Sequence, residues 1–294
     1  TGDASELWYH ARQQDFQKIP GSPIGYWLSE NQVNAFSTGK SLSSISRPRQ
    51  GLATMINTRF VRVWSECSWE NVNLPYSSKT TSTRWHEYNK GGDSRKWYGN
   101  RQYLVNWEDN GAEIKDLSIK RYNSISKRVV NESSYFKRSI TWSKIGAGKP
   151  TFRAQPLGAI FDVAGMSIFI EDSSTYHSLL GFLNSKVALS LLDVLSPTIN
   201  AEGGQIGNLP VLHSKVSETN AVNKVSKQLT QCSKSDWDAH ETSWDFQRHP
   251  LLSGGARSLS EAYATYQAHW REQFAQLHAQ EEALNRIFID LYGL

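Results

Sequence analysis

From Ser258 onward, Leu259, Tyr263, Tyr266, Trp270, Phe274, Leu277, Leu284, Phe288 and Leu291 recur at near-heptad spacing. That period predicts one helix with a single apolar stripe, opened by Ser258 and Glu261 as a capping box. A helix of about 30 residues is about 45 Å long, more than a compact domain needs. Its stripe must therefore lie on a partner helix, on the rest of a longer parent chain, or on itself in a dimer. Glu281 interrupts the stripe. Such a pattern predicts packing, with no cofactor or ligand.

A second stripe is more apolar. Leu179, Leu180, Leu183, Val187, Leu191, Leu192 and Leu195 repeat at three and four, between Asp172-Ser173-Ser174 and Ser196-Pro197. They predict a buried helix. Earlier in the chain, short β-like runs at 60–64, 103–107, 139–142, 159–161 and 167–170 alternate with Gly, Asn, Asp and Pro, predicting a twisted, mostly antiparallel sheet with long loops. Two short helices are expected before them. One centres on Leu7, Trp8, Ala11 and Phe16, with Asp3 and Glu6 as a capping pair; the other covers 29–36. A loop then carries Arg47-Pro48-Arg49-Gln50-Gly51, and residues from about His213 to Gly255 read as polar and punctuated. The expected fold class is α+β: a β-rich domain over 1–213 with an inserted helix, then a helical region over 214–294 ending in the long helix.

Charge is unevenly placed. Of the formal +4, the stretch 84–153 holds 15 Lys/Arg against 7 Asp/Glu, while the chain before and after it is near-neutral and acidic. Within it, Asn89-Lys90-Gly91-Gly92-Asp93-Ser94-Arg95-Lys96-Trp97-Tyr98-Gly99-Asn100 sets cations, rings and glycines side by side. That mixture suits duplex DNA: cations meet phosphates, rings pack on sugars or bases, and glycines allow close approach. Lys90, Arg95, Lys96 and Arg101 are the expected phosphate contacts, and Asn89, Asn100 or an arginine the expected reader of base edges. Trp97 and Tyr98 are expected either to stack on DNA or to anchor the loop from within. Arg47 and Arg49 are further candidates for backbone contact.

Several segments, taken in order, resemble the PglX family, the adenine-specific DNA methyltransferases of BREX phage-defence systems. They are 16–23 (Phe-Gln-Lys-Ile-Pro-Gly-Ser-Pro) with Tyr26-Trp27, Arg49-Gln50-Gly51-Leu52-Ala53-Thr54 with Asn57, Phe60 and Arg62, and the 89–100 segment. Downstream come Ile140-Thr141-Trp142, Phe161-Asp162 with Gly165, Leu183-Asn184-Ser185-Lys186, Pro197-Thr198-Ile199-Asn200, Trp244-Asp245-Phe246 with His249-Pro250-Leu251-Leu252, and the closing run from Glu282 to Leu294. The resemblance implies the part after the catalytic domain: a target-recognition domain over 1–213 with N-terminal connecting helices, and a helical spacer or interaction region over 214–294. It further implies double-stranded DNA and the parent's methyltransferase catalytic domain as partners, with other phage-defence proteins or a phage inhibitor as further ones. S-adenosylmethionine is the cofactor implied for the parent, with none in this chain. One departure stands out: Met55 occupies a position where the family pattern calls for Gly, so the turn there is expected either to be rebuilt or to no longer touch its ligand.

No catalytic residue or metal ligand is expected here. Adenine methylation needs a cofactor pocket and an Asn/Asp-Pro-Pro-aromatic loop, and the chain has no Pro-Pro. Gly146-Ala147-Gly148-Lys149 is followed by Pro150 rather than the Ser or Thr of a phosphate loop. Glu113-Ile114-Lys115, with Asp93 or Asp109, is the weak alternative of a metal-dependent nuclease. Asp236, Asp238, His240 and Glu241 fit a capped turn better than a metal site. A protein-interaction module is the other alternative, resting on the long helix. The sequence has no apolar run long enough to span a membrane, its start lacks a secretory pattern, and Cys67 and Cys232 lie far apart. A cytoplasmic location is expected. A start without Met and an end on a helical run fit either a piece of a longer protein or a processed chain.

Overall fold

The computed structural model describes residues 11–76, 83–146, 148–198, 200–212 and 220–294. The expected capping pair at Asp3 and Glu6 and the domain boundary near 213 lie outside them. Helices α1 (Gln13–Phe16) and α2 (Glu30–Thr38) lead in. Ser29 and Gln32 close a complete capping box on α2. The chain continues through β1 (Lys40–Ser41), α3 (Leu42–Ile45), β2 (Ser46–Arg49), α4 (Asn57–Phe60) and β3 (Val61–Val63). Next come β4 (Trp85–Asn89), β5 (Tyr103–Asn106), α5 (Glu108–Tyr122), β6 (Ser139–Ser143), β7 (Phe152–Gln155), β8 (Ile160–Phe161) and β9 (Gly165–Ile170). The rest is α6 (Tyr176–Asn184), α7 (Lys186–Leu195), α8 (Gly203–Gly207), β10 (Pro210–Val211), α9 (Asn220–Asp238) and α10 (Leu259–Tyr292). The class is α+β.

Two four-stranded sheets, β2-β9-β6-β7 and β3-β5-β4-β8, carry the fold, and β1 pairs with β10 apart from them. Pairing is antiparallel except between β4 and β8. Alternation along the first sheet explains how it is used. Ile140, Trp142, Phe152, Ala154, Met166 and Ile168 face one core, shared with α6, α7, α9 and α10. Thr141, Arg153, Gln155 and Ser167 are also buried, and several bond across to the second sheet. Asn89 donates to Gly165 O at 3.0 Å, and Gln155 donates to Glu87 at 2.8 Å. A buried polar seam thus joins the two sheets, and buried polar groups must be paired in this way. The second sheet builds its own core from Phe60, Tyr88, Val105, Ile160 and Phe161 with Ile114 of α5.

The stripe expected as one helix over 179–195 is two, α6 and α7, bent by 70° at Ser185. Ser185 causes the break, since its hydroxyl donates to Phe182 O and accepts from Ala188 N, ending one helix and capping the next. No single described helix is long and apolar enough to cross a membrane, and the bent pair is core. Helix α10 runs for 34 residues. Ser258 accepts from Glu261 N as expected, but the Glu261 carboxylate takes the Arg257 N–H rather than closing the box. Its C-terminal half finds the required partner inside the chain: Leu284, Phe288 and Tyr292 are buried, with Tyr292 stacked 5.7 Å from Phe182.

Two stretches read as irregular are helical, α5 and α9. Two others are strands, β4 and β7, and the loop expected at 46–49 is β2. Met55 holds a left-handed backbone, φ 65°, a conformation that glycine adopts freely, at a steric cost of about 1–2 kcal/mol. Gly51 beside it is compulsory, because a Cβ there would lie 1.8 Å from Phe161 O.

Candidate nucleic-acid interface

The 89–101 segment is shaped by five left-handed residues, Gly91, Gly92, Trp97, Gly99 and Asn100. Such backbone is rare for a bulky residue like Trp97 and holds only where packing enforces it. Trp97 is 1% exposed and lies in the first core, with its indole Nε1 donating to Glu281 at 2.7 Å. The anchor reading of Trp97 is therefore the one that the geometry carries. Glu281 interrupts the α10 stripe because it also takes Lys96 Nζ at 2.9 Å. A carboxylate at that turn fastens the loop to the helix.

Four other expected DNA contacts in this segment also face inward. Asn89, Tyr98, Asn100 and Arg101 are buried. Asn89 is held by Thr141 and Gly165, and Asn100 donates to Asp93 O at 2.8 Å. Arg101 binds Glu87 through two parallel bonds of 2.7 and 2.8 Å, lies under Trp244, and donates to the Tyr98 hydroxyl. Burial opposes its charge, but the Glu87 carboxylate outweighs this and holds Arg101 above its ordinary value. Burial raises the Tyr98 phenol, against the pull of Arg101. Arg95 meets Asp236 at 2.5 Å and lies over Trp237; Lys90 is 3.3 Å from Asp162. Cations and rings placed together in the sequence here make internal ion pairs and packing contacts, with Lys90, Arg95 and Lys96 half-buried. Arg47, on β2, pairs with Glu171 at an exposed site.

Where, then, does the positive excess reach solvent? Arg84, Lys90, Arg95, Lys96, Arg101, Lys115, Lys144 and Lys149 all lie within 3.9 Å of a carboxylate. Lys120, Arg121, Lys127 and Arg128 have no carboxylate partner among the described residues, and the first three are exposed. They sit at the C-terminal end of α5 and in the loop after it. Arg128 lies 4.3 Å over the Tyr122 ring and donates to its hydroxyl at 2.8 Å. Ile119, Tyr122 and Ile125 are exposed beside them. Two cations in the last turn complement the helix dipole, but Lys127 and Arg128 lie beyond its reach.

Backbone and side-chain bonds tie this loop to the 49–53 segment. Ala53 N donates to Arg128 O at 2.9 Å, and Asn131 donates to Gln50 O at 2.9 Å. Arg49 is exposed at that edge and has no carboxylate partner among the described residues. The loop carrying Lys127 and Arg128 is thus joined to the segment that follows Arg49, and Lys120 and Arg121 end the helix that leads into it. The sequence signal for it was present: 117–131 holds these four later cations and no acid.

The other motifs have different partners. Glu113 pairs with Arg59, and Lys115 with Glu132 at 2.6 Å, so the two residues serve separate contacts. Asp236 and Asp238 serve Arg95 and Lys234. Among the described residues no three His, Cys, Asp or Glu gather to hold a metal ion.

The chain is 36% identical over 294 residues to the adenine-specific methyltransferase PglX of Lacticaseibacillus casei strain Zhang, covering 97% of the chain and 24% of that protein. It belongs to the PglX family as a region of such proteins. The adenine-specific methyltransferase BrxX of Escherichia coli O9:H4 strain HS is 31% identical over 284 residues, covering 96% of the chain and 22% of that protein. The PglX-family chain thus spans about a quarter of the length of the curated relatives it matches. No family model matches it.

Proposed function

We propose that this chain is the target-recognition part of an adenine-specific DNA methyltransferase, binding duplex DNA and positioning the target adenine for a catalytic domain elsewhere in the parent protein. The observation that carries this is the set Arg49, Lys120, Arg121, Lys127 and Arg128 on two joined segments, whose charge no described carboxylate cancels. Cations without a carboxylate partner can replace the condensed counterions of a duplex, and the ring of Tyr122 gives a surface for sugar or base. The names of the relatives supply the substrate class. S-adenosylmethionine and the chemical step belong, in this reading, to the catalytic domain, and the parent acts in phage defence.

The test is a titration of fluorescent duplex DNA with the full chain. Saturable binding that falls steeply with salt is expected, and Lys120, Arg121, Lys127 and Arg128 changed together to Ala should remove most of it. No duplex binding at low salt would overturn the reading. A second reading, docking of another protein, is favoured by the N-terminal half of α10, where Leu259 and Phe274 are exposed. In that case light scattering would show assembly with a defence protein and no salt-dependent DNA binding.

A further inference from the structure

Arg153, on β7, is 0% exposed, yet no described carboxylate pairs with it. Its Nη1 donates to Arg95 O at 3.3 Å, its Nη2 to Ser143 Oγ at 3.4 Å, and its Nε has no partner. Burial and the neighbouring charge of Arg95 push it down to about 10, still protonated at neutral pH. A buried charge without a countercharge is a costly arrangement. Arg101, on the other side of the same region, shows the usual solution in its bidentate pair with Glu87. Arg153 lacks that solution.

What lies beyond Ser143 is an open groove of about 490 Å³, lined by Gly92, Ser94, Ser143, Thr151, Leu192 and Thr198 among others. The size is within the usual range for small-molecule sites, about 300–1,000 Å³. Its other charges, Lys149 and Asp193, pair with each other and cancel. The uncancelled charge is the guanidinium behind the wall. Pro150, Pro197 and Leu192 give the groove apolar surfaces as well.

We propose that this groove is an anion site that takes a phosphate-bearing nucleotide unit, with Arg153 supplying the charge and Ser143 relaying it. Ser143 accepts from Arg153 while donating to Gly92 O at 2.7 Å. Rotation of that hydroxyl presents its proton to an oxygen in the groove while the guanidinium continues to polarise it. The phosphate is bound by a charge that stays dry, where it is worth more than on the surface. The apolar walls receive the sugar or base. The groove is lined by none of the residues of the 120–128 set, so the two sites can fail separately.

Isothermal titration of the full chain with deoxyadenosine monophosphate, deoxyadenosine and a 20-base-pair duplex tests this. Saturable binding of the monophosphate is expected, at least tenfold tighter than the nucleoside, and Arg153→Met should abolish that preference without lowering the melting temperature. Ser94→Glu, an exposed change on the rim, should weaken the monophosphate at least tenfold and covers the case in which Arg153→Met fails to fold. If only the duplex binds and Ser94→Glu weakens it, the phosphate is the strand's; if the monophosphate binds, it is a free nucleotide's. Equal binding of nucleoside and monophosphate would overturn the proposal. So would Ser94→Glu having no effect on any of the three probes.

Discussion

Two basic regions lie close together in the sequence and are partnered differently. At 89–101 each cation meets a carboxylate brought from elsewhere: Asp162, Asp236, Glu281 and Glu87. At 120–128 the cations meet none among the described residues. Positive charge in a sequence therefore says nothing about where it is used until its partners are known. Internal pairs fix the shape of a loop, and free cations remain available to a polyanion. The rings divide in the same way, Trp97 as a buried anchor and Tyr122 as an exposed plate.

The largest effect should come from Trp97→Ala. Truncating a buried indole costs about 3–5 kcal/mol, read by chemical denaturation, and the salt dependence of DNA binding should not change in the fraction that stays folded. If stability held, the region would not be the internal brace described here. Next, Glu281→Ala should cost about 1–3 kcal/mol by leaving the Trp97 N–H without an acceptor. Glu281→Gln should recover most of that, because the amide oxygen can still accept; a Gln variant as unstable as the Ala one would move the weight to the Lys96 ion pair. Smallest of these, Met55→Gly should change stability by no more than about 1 kcal/mol, since relief of left-handed strain offsets lost side-chain packing. A loss above about 3 kcal/mol would mean that Met55 is a core residue first.

Long apolar periods made much of the fold legible. Stripes at 179–195 and 259–291 announced α6, α7 and α10, and alternation announced β6 and β9. Helix α9 stayed hidden because its buried face is Val222, Ser226, Leu229 and Ser233, half of it serine. Small residues are required there: α6 crosses so closely that a Cβ on Gly181 would lie 2.4 Å from Ser226 Oγ. Helix α5 was masked by its polar composition, and by left-handed Asp109, Asn110 and Gly111 in its first turn.

The site was legible only as a region. Arg95 and Lys96 lie 141 and 185 positions from Asp236 and Glu281, and no local pattern reveals such pairs. The seam residues Asn89 and Arg101 carry the residue types of a DNA contact because burial between two sheets also demands hydrogen bonding. What could have pointed to 120–128 was the absence of acids around it, a weaker cue than rings beside cations.

The most direct measurement is the slope of log affinity against log salt for duplex binding, taken for two variant sets side by side. Changing Lys120, Arg121, Lys127 and Arg128 together to Ala should flatten the slope by up to about 3–4 units. Changing Lys90, Arg95 and Lys96 to Ala should leave it within about one unit while lowering the melting temperature. The reverse pattern, with the slope lost from the 90–96 set and kept in the 120–128 set, would contradict the account.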